Sequence, residues 1–398
     1  MAPSILCYFQ SKRLLTAKLN DTILYNKWDN NLENTTFFYG IGVNPAFSVI
    51  SSLFRYKEGI YTNRGGQMST KSKLLELLEQ NRGKNISGEE IARLLQISRT
   101  AVWKAVKALE REGYRIKAVS NKGYTLSQDS NILSVQGILP FLSSQQASGH
   151  IHIFESLAST NQTAKEMAIA GHEHGTVVIS NTQTSGRGRY GRVFYSPSGT
   201  GLYLSFLLRT AGAFSSNPTL ITTSAAVAVC RAVQALSGKE LRIKWVNDLF
   251  WNDKKVCGIL TEAMTDFESG NIEWAVIGIG VNISALEEGF PPELAQTAGC
   301  LFPEGAAGTT RNQLAAGIID RLLSLESWES DSGIYAEYKN RSLLLGKEIT
   351  VSQQGDTYTA TAMDIDASGH LIVQKDTGEI VQISSGEVQI VNYNINNG

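Results

Sequence analysis

The chain has 398 residues, 42% of them hydrophobic, and a formal net charge of −1. That length supports two or three domains with real cores. Four scattered cysteines, Cys7, Cys230, Cys257 and Cys300, form no Cys-x-x-Cys; this excludes a zinc or disulfide framework and fits reduced thiols in the cytoplasm. No apolar run is expected to reach membrane-spanning length, and no secretory signal opens the chain.

Residues 1–67 mix Asn, Tyr, Phe and Ser without a sustained helical or strand period, and are expected to form no domain. Arg64-Gly65-Gly66 stands just before Met68. A purine-rich ribosome-binding site read in frame gives such a tripeptide, so Met68 is the expected natural start and 1–67 translated upstream sequence or a disordered extension.

The near-neutral total hides an asymmetry, because Met68–Ser130 carries 12 Lys/Arg against 7 Asp/Glu, a local +5. Leu74, Leu75, Leu77 and Leu78 give a first helical face. Ser87 with Glu90 three residues on is a capping box opening Glu89–Leu95. Ser98 then caps Arg99–Glu112, which Gly113 ends. Its buried stripe is Val102, Ala105, Val106 and Leu109, and Arg99, Thr100, Trp103, Lys104 and Lys107 lie on or beside the other face. Tyr114–Val119 and Gly123–Leu126 read as two strands of a wing with Lys122 at its tip. Two helices across a tight turn, the second basic at its start, predict a winged helix-turn-helix that enters the DNA major groove. The DNA-facing set is Ser98, Arg99, Thr100, Trp103, Lys104, Lys107 and Lys122. Trp103 either stacks near DNA or packs under the wing.

Asn131–Ser148 reads as a polar linker with a short apolar turn, within an expected linker at 131–150. A catalytic domain is expected at 151–342. Ile151–Glu155 is a strand, and Ser159 or Thr160 is a good N-cap for a helix over Gln162–Ala170. The strand Gly175–Ser180 delivers Gln183 and the loop Gly186-Arg187-Gly188-Arg189-Tyr190-Gly191-Arg192, and the strand Leu202–Leu208 follows. Glycines let backbone N–H groups approach a phosphate, and arginines supply permanently charged planar forks. A small-residue core helix covers Ser224–Leu236. The strand Arg242–Trp245 ends in the turn Val246-Asn247-Asp248. Asn247 and Asp248 are turn residues, or Asp248 is a Mg²⁺ ligand or the acceptor of an amine proton. Lys255 opens the buried strand Val256–Leu260. The glycines of Val276–Asn282 point to close approach of a ligand, but the run has no third glycine for a dinucleotide-binding fingerprint. After the helix Arg311–Leu325, strands at 348–351, 358–362, 371–374 and 380–383 predict a small SH3-like barrel within 343–398.

The Gly/Arg loop, the Lys-Trp-Val-Asn-Asp turn and Lys255 together resemble the catalytic core of the biotin–protein ligases. With the winged helix included, the match is to the bifunctional biotin ligases that also repress the biotin operon. The resemblance covers about Met68–Val391. It implies an α+β chain: an N-terminal winged helix, a central mixed-sheet biotin/lipoate-ligase-type domain and a C-terminal SH3-like barrel. It also implies that biotin and ATP form biotinyl-5′-AMP with Mg²⁺, and that biotin passes to a lysine of a biotin carboxyl carrier domain. The implied biotin-contacting positions are Ser159, Thr160, Asn161, Gln183, Arg187, Gly188, Arg189, Lys255 and Gly258. The implied nucleotide positions are Arg189, Arg192, Phe194, Lys244, Asn247 and Asn282, and the implied catalytic set is Lys255, Arg187, Arg189 and Asp248. Tyr190 stands where an arginine is common in the family, and Val246 where a proline is. Operator DNA and a homodimer formed with the adenylate bound are the implied partners, with no membrane. Two other classes remain open: a lipoate–protein ligase, which shares the fold and the acyl-adenylate chemistry, and a ligand-sensing regulator without catalysis.

Overall fold

A computed structural model describes strands at 6–9, 14–19 and 22–27, and residues 68–119, 122–143, 150–209, 217–308, 310–325, 332–353 and 355–391. The chain divides into two compact units, Met1–Glu58 and Gly59–Gly398. In the first, β1 (Leu6–Phe9), β2 (Leu14–Leu19) and β3 (Thr22–Lys27) form a three-stranded antiparallel sheet. This corrects the expectation of no strand period there. These segments are rich in Leu, Thr, Tyr and Ile, which suit a pleated surface without strict alternation of polarity.

The second unit begins with α1 (Thr70–Gln80), α2 (Gly88–Leu95) and α3 (Arg99–Arg111). Ser69, Ser87 and Ser98 each accept a bond from the backbone N–H three residues on, so each helix starts where its serine sits. Gln96 takes a left-handed conformation between α2 and α3, and Gly113 has φ +90 after α3. Leu74, Leu78, Ile91, Val102, Val106 and Leu109 make this region's own core. The wing is β4 (Ile116–Val119) paired with β5 (Gly123–Leu126). Gly123 has φ +96, and a Cβ there would lie 2.0 Å from Ile86 O. Only glycine lets the wing lie on the Ile86–Ser87 backbone that leads into α2. Ser120 and Asn121, at the wing tip, lie outside the described residues.

The expected polar linker is built in instead. Leu133 and Ile138, the latter on the short helix α4 (Val135–Ile138), are buried in the central core. Asn312 accepts from Ser134 N and donates to Ile132 O. Leu133, Val135, Ile138 and Leu142 carry this packing, and their neighbours' polarity masks it in the sequence.

The central sheet has seven strands: β6 (Ile151–Leu157), β7 (Val177–Gln183), β8 (Gly201–Arg209), β9 (Arg242–Lys244), β10 (Asp248–Trp251), β11 (Lys254–Thr265) and β12 (Ile272–Asn282). Their order is β6-β7-β8-β12-β11-β10-β9. Only β6 and β7 run parallel, so the sheet is mixed. α5 (Thr160–Ile169) covers part of one face through Ala164 and Ala168, against Val178, Leu207 and Val276. α6 (Pro218–Ser237) and α7 (Thr310–Leu323) cover the other face, against Ile179, Leu204, Phe206, Ile277 and Ile279. α6 is long and apolar enough to cross a membrane by length and composition, which corrects the expectation of no such run. Its Ile221–Val233 stretch is nearly all buried inside the protein, as a core helix requires.

After α8 (Ser332–Asn340), the C-terminal module consists of β13 (Glu348–Gln353), β14 (Asp356–Ile365), β15 (Leu371–Lys375), β16 (Ile380–Ile383) and β17 (Glu387–Ile390). All pairings are antiparallel, in the order β16-β15-β14-β13-β17. The fifth strand, β17, was not expected. Trp245 Nε1 donates to Gly369 O at 2.8 Å and joins this module to the central sheet.

Arg311, on α7, is the largest fully buried side chain among the described residues, 1% exposed. It donates to Gly201 O, Asn131 O and Asn181 Oδ1, at 2.9, 3.4 and 2.6 Å. Burial lowers its pKa to about 10 and leaves it charged at neutral pH. Replacing Arg311 with Ala strands these acceptors, so R311A is expected to cost about 3 kcal/mol or more. Urea unfolding checks this, and an unchanged midpoint contradicts it.

Candidate active site

The two faces of β12 differ because strand side chains alternate. Ile277, Ile279 and Val281 enter the main core. The opposite face runs Val276, Gly278, Gly280. Its cross-strand partners are Leu207, Ser205 and Tyr203 on β8, and Glu262, Leu260 and Gly258 on β11. α5 covers the Val276 end. Beyond it the side chains vanish, and a cleft of about 620 Å³ opens over the bare glycines.

Two groups lie directly on this floor. A Cβ on Gly278 would stand 2.0 Å from Asn161 Oδ1. A Cβ on Gly280 would stand 2.4 Å from the Phe194 ring, and one on Gly258 3.2 Å. The ring also meets Tyr203 edge-on, with centroids 6.4 Å apart.

One wall of the cleft is polar and neutral. Ser159 occupies the N-cap position of α5, but its side chain makes no capping bond. The capping expectation fails for Thr160 too, which lies inside the helix with its hydroxyl in another network. Gln183 Oε1 accepts from Thr160 N at 2.9 Å, with the Thr160 hydroxyl oxygen 3.1 Å away, and Gln183 Nε2 donates to Ser196 Oγ at 2.9 Å. The Ser205 hydroxyl lies 2.8 Å from Thr160 Oγ1 and 2.6 Å from Asn161 Oδ1. Ser159, Thr160 and Asn161 are each at least 95% buried.

The other wall is charged, with Arg187, Arg189, Arg192, Lys244 and Lys255 all lining it. Arg189 Nη1 donates to Asn247 Oδ1 at 3.3 Å, and its guanidinium sits 5.0 Å from the Tyr190 ring centroid. Tyr190 therefore supplies a ring face to Arg189 where an arginine would add charge. Asn247 is itself fixed, because Nδ2 donates to Ile259 O at 2.8 Å. The Trp245–Val246 peptide before it is cis. Lys255 Nζ is 2.7 Å from Asp248 Oδ1, an ion pair inside the cleft. Burial lowers the Lys244 pKa, opposed by the charge of Asp248. Gly188 and Gly258 also line the cleft.

The structure brings together every expected biotin and nucleotide position except Asn282, which does not line the cleft. Its Nδ2 donates to Gly299 O at 2.9 Å, so at the end of β12 it ties down a neighbouring loop. Among the described residues, no group of three or more His, Cys, Asp or Glu is arranged to hold a metal. Within the winged helix, Arg99, Thr100, Trp103, Lys104, Lys107 and Lys122 are all exposed. Trp103 is 53% exposed, which settles it on the open face of α3 and not under the wing. Ser98 spends its hydroxyl on the cap.

Sequence reading missed Ser196, Ser205, Glu262 and Glu387. Glu387 opens the unexpected strand β17. Its two carboxylate oxygens accept from Arg192 Nη2, both at 2.7 Å, so the C-terminal module clasps the Gly/Arg loop. The Arg192 hydrogen bond holds the Glu387 carboxyl below the usual range. A lowered folded pKa means the clasp is fully made above the ordinary glutamate value and is lost as pH falls through the lowered one. E387A should speed trypsin cleavage within Arg187–Arg192 several-fold. A cleavage rate equal to the parent's rules the clasp out.

Three family descriptions match the chain: an HTH domain over 70–125, the biotin/lipoate A/B protein ligase family over 153–282, and a biotin protein ligase C-terminal domain over 344–391. The bifunctional ligase/repressor BirA of Bacillus subtilis is 35% identical over 324 residues, which is 80% of this chain and 97% of that protein. BirA of Escherichia coli is 28% identical over 325 residues, 80% of this chain and 96% of its own. The fold matches that of the biotin protein ligase from Aquifex aeolicus in complex with biotin and ATP, with TM-score 0.51, 23% identity, and 61% and 99% of the two chains covered. The extent and identity of the Bacillus match place this chain in the family of bifunctional biotin ligase/repressors.

Proposed function

We propose that the glycine-floored cleft makes biotinyl-5′-AMP from biotin and ATP and passes biotin to a lysine of a biotin carboxyl carrier domain. The observation that carries this reading is the pairing of the two walls. A neutral hydrogen-bonding wall of Thr160, Asn161 and Gln183 stands across a bare sheet from five cations. A cyclic urea offers one carbonyl and two N–H groups to such a wall. The bicyclic ring of biotin lies in the cleft against the Phe194 ring and the Asn161 carboxamide that rest on Gly258, Gly278 and Gly280, and its carboxylate reaches Lys255. Arg187, Arg189, Arg192 and Lys244 receive the phosphates, with Gly188 and Asn247 shaping the approach.

The chemistry is electrostatic. A biotin carboxylate oxygen attacks the α-phosphorus, and pyrophosphate leaves. Lys255 and the arginines stabilise the charge that builds on the transferring phosphate. The loop over the cleft excludes water from the mixed anhydride. The carrier's lysine amine then attacks the acyl carbon and AMP departs, so no nucleophilic side chain of the enzyme is needed. A Mg²⁺ ion would take Asp248 and phosphate oxygens and add positive charge there; a single carboxylate suits a cation that arrives with its nucleotide.

We also assign the exposed basic face of α3 and Lys122 to operator DNA, with Lys122 on phosphate. The adenylate-bound chain acts as a homodimer in the cytoplasm, and sedimentation with and without biotin plus ATP checks the mass. A lipoate–protein ligase is the second reading, but a dithiolane ring has no N–H for Asn161 and Thr160.

Pyrophosphate release from ATP is expected with biotin and not with lipoate, and K255A should lower it at least about 100-fold. Release with lipoate alone would select the second reading. Undiminished release in K255A would remove Lys255 from the chemistry.

A further inference from the structure

Glu262 lies on the cleft face of β11, two residues beyond Leu260, and opposite Val276. Its Oε2 accepts from Asn161 Nδ2 at 2.8 Å. Its Oε1 is 2.6 Å from Lys165 Nζ, on the second turn of α5. The second hydrogen of Asn161 Nδ2 goes to Leu260 O at 3.1 Å. Asn161 Oδ1 lies 2.6 Å from the Ser205 hydroxyl.

A carboxamide has two nearly superimposable orientations, and its neighbours decide between them. Here both acceptors, Leu260 O and the Glu262 carboxylate, demand the NH₂ end. Ser205 supplies a donor to the oxygen end. Flipping Asn161 would set its oxygen against Leu260 O and a carboxylate, so the orientation is locked. One lone pair of Oδ1 is then left for a ligand on the glycine floor. Burial alone would raise the Glu262 pKa; the bonds from Lys165 and Asn161 outweigh it and lower the value, so the carboxylate stays ionised.

We infer that Glu262, held by Lys165, is a positioning residue that fixes Asn161 with its oxygen toward the substrate, and so makes the site accept a ring N–H donor. This rests on the reading of Asn161 as a urea contact. The pair sets specificity for a cyclic urea without touching it. A glutamine at 262 disturbs the arrangement predictably. Lys165 claims the new amide's oxygen and turns its NH₂ toward Asn161, where two donors then face each other. Asn161 must lose that bond or flip. Removing Lys165 as well frees the glutamine to offer its oxygen to Asn161.

The test is steady-state pyrophosphate release by E262Q, K165M, K165M/E262Q and N161A, with biotin and with desthiobiotin, which keeps the cyclic urea. E262Q should raise KM for both ligands about tenfold. Its kcat and its KM for ATP should stay within about twofold of the parent. K165M/E262Q should recover most of the loss, which a merely structural defect would not do. An unchanged biotin KM in E262Q, with a raised one in N161A, overturns the positioning role and leaves the urea contact standing. An unchanged biotin KM in N161A overturns the urea contact itself. A fall in kcat with no recovery in the double variant makes Glu262 structural and also overturns the inference.

Discussion

The site depends on a strip of central sheet without side chains. Gly258 and Gly280 face each other across β11 and β12, and Gly278 follows on the same face. Their missing Cβ atoms make room for the Phe194 ring and the Asn161 carboxamide to lie on the backbone itself. The same strands fill the other face with Ile259, Ile277, Ile279 and Val281, at most 2% exposed. One strand thus anchors the main core and floors the cleft, and period-two alternation keeps the two duties apart. Rigidity comes from the buried side and openness from the glycine side.

On that floor, charge is gathered and held in check. Five cations around one cleft repel one another unless each is restrained. Arg189 leans on Asn247 and Tyr190, Arg192 on Glu387, and Lys255 on Asp248. These restraints come from three sources: the turn at the start of β10, the loop itself, and the C-terminal module. A polyphosphate entering the cleft would take over the cations these groups hold in place, in a site already organised for negative charge. The neutral wall is fixed as firmly, by the bonds among Thr160, Gln183, Ser205 and Asn161.

Much of this was legible in the sequence where signals are local. Serine caps set the starts of α2 and α3. The spacing of Val102, Ala105, Val106 and Leu109 gave the buried stripe of α3. The glycines of Val276–Asn282 marked a run that a ligand can approach closely. What stayed hidden depends on residues distant in sequence. Glu387 meets Arg192 across 195 positions, and Glu262 meets Asn161 across 101. A glutamate on a strand reads as a solvated charge until its partner is known. Ser196 and Ser205 stayed hidden too, because nothing local says which way a hydroxyl turns. Asn282 shows the converse: a polar residue at a strand end beside glycines reads as a ligand contact, while here its Nδ2 donates to Gly299 O and it stands outside the cleft lining.

The central claim is that the bare sheet between a neutral wall and a charged wall makes and retains a biotinyl adenylate. Native mass spectrometry of the chain after incubation with biotin, ATP and Mg²⁺ addresses this most directly. The account predicts one non-covalently held biotinyl-5′-AMP per chain, absent when biotin is omitted. A chain that carries biotin and ATP unreacted, or a covalently biotinylated side chain in place of the adenylate, would contradict it.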